Sequence, residues 1–177
     1  MDGTELRTIR AYELEAYLEH MMRLDGAARA QRFAAGVDDN FVLAHCLEMV
    51  VSRTVLIGAW VDGVLRGAAE IDVDHDGRVA ELSVSLEKGW RGRGLGRGLL
   101  SAAVQEARRR SILRIRLDIP SGDAALLRIA ATAGFVAEGG GATVTHRLDL
   151  DPAALARSEP APAPGRWNPF RAFARRA

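Results

Sequence analysis

One cysteine, Cys46, occurs in 177 residues, so no internal disulfide can form and zinc patterns built from several thiolates are excluded. Such a chain suits a reducing compartment, and the cytoplasm is the expected location. Cys46 lies in "FVLAHCLEMVV", which reads as a buried helix, so a small core residue is expected there rather than a nucleophile. Charge of one sign is lacking too: 24 Lys and Arg against 23 Asp and Glu leave a net charge of +1. No general field draws this chain to nucleic acid, and any anion site must be local. No stretch approaches the ~18 consecutive apolar residues of a membrane span. The start, "MDGTELRTIRAYELEAYL", has no basic leader followed by an apolar block, so no signal peptide is expected. Internal repeats are absent. The histidines, His20, His45, His75 and His146, show no i, i+4 pairing and fall on different elements, so no metal site is expected.

What is present is the composition of one globular domain, 48% hydrophobic and 27% charged, with enough apolar residues for a core. Residues 6–10 alternate weakly as a first strand, and Tyr12, Tyr17, Leu18, Met21, Met22 and Leu24 then recur at helical spacing. "DGAARAQRF" reads as a turn and a short helix, and residues 41–51 as another helix. "TVLIGAWVDGVLRGAAEIDV" is two β-rich runs joined by Asp62-Gly63, a hairpin signal. After a turn at residues 74–77, "RVAELSVSL" alternates, with Ala80, Leu82, Val84 and Leu86 on one side and Glu81, Ser83 and Ser85 on the polar side of a half-buried strand. A helix to about residue 110, a strand in "ILRIRLDI", a helix in "DAALLRIAATAG" and a last strand in "TVTHRLDL" complete an α/β order. Residues 1–151 are therefore expected to form the single domain. Residues 152–177 are expected to be a Pro/Ala-rich extended linker and a basic tail. In that tail Trp167, Phe170 and Phe173 allow an amphipathic helix for a membrane surface or partner, and a frayed end is the other reading.

"EKGWRGRGLGRGLL", residues 87–100, concentrates glycine and arginine between a strand and a helix. Helix N-termini present unpaired N–H groups at the positive end of the macrodipole. Glycines at 92, 94, 96 and 98 let the backbone approach oxygen atoms closely, and Arg91, Arg93 and Arg97 add charge, so the segment suits a phosphate. The dinucleotide fingerprint GxGxxG fails, because Arg97 and Leu99 stand where its third glycine belongs. The Walker pattern fails for want of Gly-Lys-Ser/Thr, and the segment is too short and too well framed for an arginine-glycine RNA binder.

Arg91-Gly92-Arg93-Gly94-Leu95-Gly96 matches the R/Q-x-x-G-x-G/A signature, and here the sequence resembles the GNAT superfamily of N-acetyltransferases. The resemblance extends from "AELSVSLEKGWRGRGLGRGLLSAAVQEAR" to "DAALLRIAATAGF", and is similar in arrangement to the acetyltransferase domains of bacterial protein-lysine acetyltransferases. It implies the GNAT fold, a central mixed, mostly antiparallel sheet of about six to seven strands flanked by about four helices. It also implies acetyl-CoA as co-substrate, with no metal. The pyrophosphate would lie on Arg91, Gly92, Arg93, Gly94, Leu95 and Gly96, with Arg97 and Gly98 at the helix start. The pantetheine arm and acetyl group would lie along Leu82, Ser83 and Val84.

An amine must lose a proton to attack, since a lysine-like amine of pKa ~10.4 is protonated near neutrality. The resemblance assigns that proton to Glu81 as general base, with Glu70 on the neighbouring strand in reserve. The chain departs from the family at the helix before Gly134-Phe135, where Ala130 stands in place of the tyrosine that protonates the thiolate and Asp123 in place of an asparagine. A thiol of pKa ~8.5 still leaves readily, so transfer to an amine remains the leading expectation and a CoA-binding domain without turnover the alternative. The acceptor, a small-molecule amine or a protein lysine, is not specified, and homodimerisation, common in the family, leaves no readable mark.

Overall fold

The computed structural model describes residues 3–33, 35–50 and 52–157. Its strands are β1 (Thr4–Thr8), β2 (Val55–Val61), β3 (Val64–Val73), β4 (Val79–Leu86), β5 (Arg114–Pro120), β6 (Val136–Glu138) and β7 (Thr143–Asp149). Its α-helices are α1 (Leu14–Arg23), α2 (Gly26–Phe33), α3 (Asp39–Glu48), α4 (Leu95–Arg109), α5 (Ala124–Thr132) and α6 (Pro152–Arg157). The strands form one sheet in the order β1-β2-β3-β4-β5-β7-β6. Neighbours are antiparallel except β4 and β5, which run parallel. The hairpin between β2 and β3 turns at Asp62 (φ 50°) and Gly63 (φ 78°), both in the left-handed region that such a tight turn requires.

Each face of the sheet carries its own core. On one side Ile57, Ala69, Ile71 and Leu82 pack against Leu99, Leu100, Ala103 and Ala107 of α4. Leu99 and Leu100 are fully buried, worth roughly 1.5–3 kcal/mol each, so the amino-terminal turns of α4 are fixed against the sheet. On the other side Tyr17, Met21, Phe33 and Val42 of α1–α3 cover Leu56, Trp60, Leu65 and Ala68.

That second core changes the reading of β4. Ser85, expected on a solvated face, is buried because α1 lies over it and the ring of His20 supplies a hydrogen-bond partner, Nε2 to Oγ 2.9 Å. Two further elements depart from expectation. Strand β6 has only three residues, all exposed, too short to show a period. Residues 152–157, expected as linker, form α6, because Asp151 caps the backbone N–H of Ala154 at 2.8 Å and Pro152 occupies the first helical position, where its missing N–H costs nothing. Trp167, Phe170 and Phe173 lie outside the described residues.

The decisive feature is where β4 and β5 part. Their pairing runs from Val79↔Arg114 to Leu82↔Leu117, yet β4 continues to Leu86 and β5 to Pro120. Beyond Leu82 the strands splay, and the edge of β4 facing β5 carries backbone N–H and C=O groups outside the ladder.

Candidate active site

A cleft of about 600 Å³ occupies this splay. Ser83, Val84 and Leu86 form one wall, Leu117, Asp118 and Pro120 the other, and Leu126, Arg128 and Ile129 of α5 border it. Arg91, Gly92, Gly94, Gly96 and Arg97 complete the lining, so one continuous depression joins the open edge of β4 to the mouth of α4. Gly92 (φ 76°) and Gly94 (φ 84°) both adopt left-handed backbone, and Gly94 caps α4, whose first turn lines the cleft through Gly96 and Arg97. The arrangement can take an extended chain carrying a phosphate at one end.

Of the residues singled out from sequence, Ser83, Val84, Arg91, Gly92, Gly94, Gly96 and Arg97 come together here. The others are placed differently. Leu82 and Leu95 are buried in the core, beneath the cleft rather than on it. A Cβ on Gly98 would meet Leu6 Cδ1 at 2.6 Å, so Gly98 admits β1 against the helix. Arg93 stacks on Trp90 at 4.8 Å, and a second cation, Arg66, lies over the same ring at 5.1 Å.

Trp90 belongs to a 3₁₀ turn, Lys88–Trp90, whose N-cap is Glu87. The Glu87 carboxylate accepts from Arg23 Nε at 2.8 Å and Arg66 Nη1 at 3.1 Å and meets His20 Nδ1 at 3.3 Å, tying α1 and β3 to the start of the glycine loop. Burial pushes this carboxyl up, but the hydrogen bonds from His20, Arg23 and Arg66 outweigh it and hold the pKa at about 2, below the ordinary 4.5. A depressed folded value stabilises the fold above the unfolded pKa, and that contribution fades as pH falls toward about 2. Glu87→Gln is therefore expected to lower the urea midpoint near neutrality, and the gap from wild type to narrow below about pH 4.5. A gap that widens on acidification would contradict this assignment.

Glu70 is buried beside the cleft. It accepts from Tyr17 Oη at 2.6 Å and Arg32 Nε at 3.0 Å, forms an ion pair with Arg32 Nη2, and meets His45 Nε2 at 3.1 Å. Burial raises its pKa, but the Arg32 guanidinium and His45 more than reverse this and hold it well below the carboxylate range. Burial, then the Glu70 charge, pushes the Tyr17 phenol well above its ordinary value, so it stays a donor. Burial likewise pushes the Cys46 thiol up to about 12, which leaves it inert near neutrality.

Glu81 is half-buried and outside the cleft lining, one step along β4 from Ser83 on the same face. In register it lies between Asp72 of β3 and Arg116 of β5. Burial raises the pKa of Asp72, a Thr54 hydrogen bond working against it. Asp123 is the N-cap of α5, accepting from Leu126 N at 3.0 Å, and also takes a hydrogen bond from Gln31 of α2, which closes across the cleft rim. Ala130 is fully buried. Arg32, Gln31 and Asp118 reach the cleft without any signal in local sequence, because α2 and β5 are brought there by the sheet.

The acetyltransferase (GNAT) family profile matches residues 18–135, which span both walls of the cleft and the glycine loop. The chain belongs to this family of acetyltransferases. Among solved structures it is similar to the GNAT domain of PAT from S. lividans (TM-score 0.71, 17% identity, covering 83% of this chain and 90% of that one). It also resembles yncA, a putative acetyltransferase from Salmonella typhimurium solved with acetyl-CoA (TM-score 0.65, 22% identity, 86% and 97% covered). A third is the ribosomal-protein-alanine N-acetyltransferase of Brucella melitensis (TM-score 0.64, 22% identity, 82% and 99% covered). At these identities the likeness is one of fold. No curated protein matches the sequence. Among the described residues no helix is long and apolar enough to cross a membrane, and no group of His, Cys, Asp and Glu side chains is placed to hold a metal.

Proposed function

We propose that the chain transfers an acyl group, acetyl in the first instance, from acyl-CoA to a primary amine by direct attack within a ternary complex. The observation that carries this is the continuity of the cleft from the unpaired edge of β4 to the mouth of α4. An acyl-pantetheine arm can hydrogen-bond along Ser83 and Val84, starting at Leu82, the last residue paired with β5, as if it were the missing strand, and the pyrophosphate then falls on the loop from Arg91 to Gly98. A backbone N–H of that strand edge would polarise the thioester oxygen. The fourfold supply of arginine around the cleft, Arg32, Arg91, Arg97 and Arg128, suits a polyanionic donor.

The amine would approach from the face that bears Glu81, and Glu81 would take its proton, directly or through a water. Glu70 is the weaker candidate, since its carboxylate is already engaged by Tyr17, Arg32 and His45. The acceptor is a small-molecule amine or a protein amine such as lysine, the second supported by the protein acetyltransferase among the similar folds. Residues 1–151 would carry the catalytic unit, working in the cytoplasm.

The test is thiol release from acetyl-CoA with a panel of amines. Glu81→Gln is expected to lower kcat about 100-fold with the KM for acetyl-CoA unchanged. A variant as active as wild type from about pH 6 to 9 would remove Glu81 as the base. One observation favours a second reading, a CoA-binding domain without turnover: Ala130, buried, offers no hydroxyl where the family has tyrosine. Thermal stabilisation by acetyl-CoA with no thiol released to any amine would support that reading instead.

A further inference from the structure

Breaking a thioester leaves an electron pair on sulfur, and something in the cleft must meet that charge. Among the described lining residues Asp118 and Asp123 are carboxylates and would repel it, while Ser83 and Gln31 are neutral. Four arginines remain, of which Arg91, Arg97 and Arg128 are exposed to solvent, whereas Arg32 is 8% exposed. A cation held out of water acts on a nearby charge far more strongly than an exposed one, and it needs no reorganisation as the reaction proceeds.

Arg32 is also at the right depth. Its partner Glu70 lies directly across the ladder from Ser83, and Ser83 is the first residue of β4 beyond its last pair with β5. Arg32 therefore stands at the closed end of the splay, while the glycine loop forms the other end of the same cleft. An acyl-pantetheine arm running inward from the loop brings its reactive end to Arg32. Glu70 fixes the guanidinium through Nε and Nη2. The ring of Phe33 packs against the guanidinium at 4.8 Å and restricts it further.

We propose that Arg32 is a catalytic residue whose guanidinium stabilises the thiolate of departing CoA. This rests on the acyl-CoA reading above. The amine nitrogen bonds to the acyl carbon, the carbon–sulfur bond breaks with its electron pair moving to sulfur, and the amine proton passes to the base. The thiolate leaves paired with Arg32 and takes a proton from solvent afterwards. Among the described residues the other ionisable groups around Arg32 include Tyr17 of α1, His45 and Cys46 of α3 and Glu70 and Asp72 of β3.

The experiment follows the ultraviolet absorbance of the thiolate in CoA bound to the full chain as pH is varied. In the wild type the bound thiol is expected to ionise at least about tenfold more readily than in free CoA, a midpoint about one pH unit lower. The paired substitution Arg32→Gln with Glu70→Gln, which leaves no buried charge alone, is expected to return the midpoint to that of free CoA. Arg32→Lys, which keeps a cation against Glu70 with a different reach, is expected to fall between them. Bound CoA that titrates like free CoA in the wild type, or a lowered midpoint that survives in the paired variant, overturns the role of Arg32. Failure of the wild type to bind CoA at all overturns the donor reading itself, so the two failures are told apart.

Discussion

Glu70→Ala should cost the fold about 3–5 kcal/mol, the largest loss of stability expected from any single change near the cleft. The reason is not the strength of the Arg32–Glu70 pair, because desolvating two charges offsets most of their attraction. It is the state left behind. Arg32 has a side chain only 4% exposed, and without Glu70 it would be a buried charge with its main counter-ion gone. Tyr17 would lose the acceptor of its 2.6 Å hydrogen bond at the same time. Urea unfolding measures the effect, and Arg32→Met combined with Glu70→Leu supplies the control, expected to recover most of the loss because no unpaired charge is left at this site, the Tyr17 hydroxyl alone still lacking its Glu70 acceptor. A loss below about 1 kcal/mol for Glu70→Ala would mean that water or another group reaches Arg32 easily. Because the folded carboxyl is held well below the usual range, its contribution is complete above the unfolded pKa near 4.5 and persists into strong acid.

That network also shows why the site was only half legible in the sequence. The glycine loop could be read because its chemistry is local: residues 91–98 supply glycine, charge and helix start within one continuous segment. The Asp62-Gly63 hairpin and the alternation of β4 were readable for the same reason. Glu70 and its partners are not local. Tyr17, Arg32 and His45 lie 53, 38 and 25 positions away and meet only because α1–α3 fold over one face of the sheet. Gln31 and Asp123 are 92 positions apart. The burial of Ser85 is hidden for the same reason, since a period of two says which residues share a face but not whether a helix covers it. Helix α6 is a different case. Its Asp151-Pro152 start is a helix signal in the sequence, but the Pro and Ala composition that follows it is that of a linker.

Gly96→Val should abolish tight CoA binding while leaving the fold intact. Gly96 is the second residue of α4, inside the first turn, where backbone N–H groups have no intrahelical partner. Its backbone is not left-handed, unlike Gly92 and Gly94, so a side chain brings no backbone strain. The nearest atom to an added Cβ is Ile129 Cδ1 at 3.7 Å, an ordinary contact, and both residues line the cleft between α4 and α5. Valine there would stand where the pyrophosphate must come down on the amides. Losing two charge-assisted hydrogen bonds costs about 4 kcal/mol, or about a thousandfold in affinity. Stability should change little, because valine is no worse than glycine inside a helix. Gly98→Ala is the matched contrast: its Cβ would meet the side-chain tip of Leu6 of β1, which is 39% exposed and can swing aside, so stability should change little and CoA affinity should fall far less than in Gly96→Val. Calorimetric titration with CoA beside urea unfolding reads both quantities for both variants. If Gly96→Val bound CoA within about threefold of wild type, a difference of only ~0.7 kcal/mol, the pyrophosphate would have to lie elsewhere than on the first turn of α4.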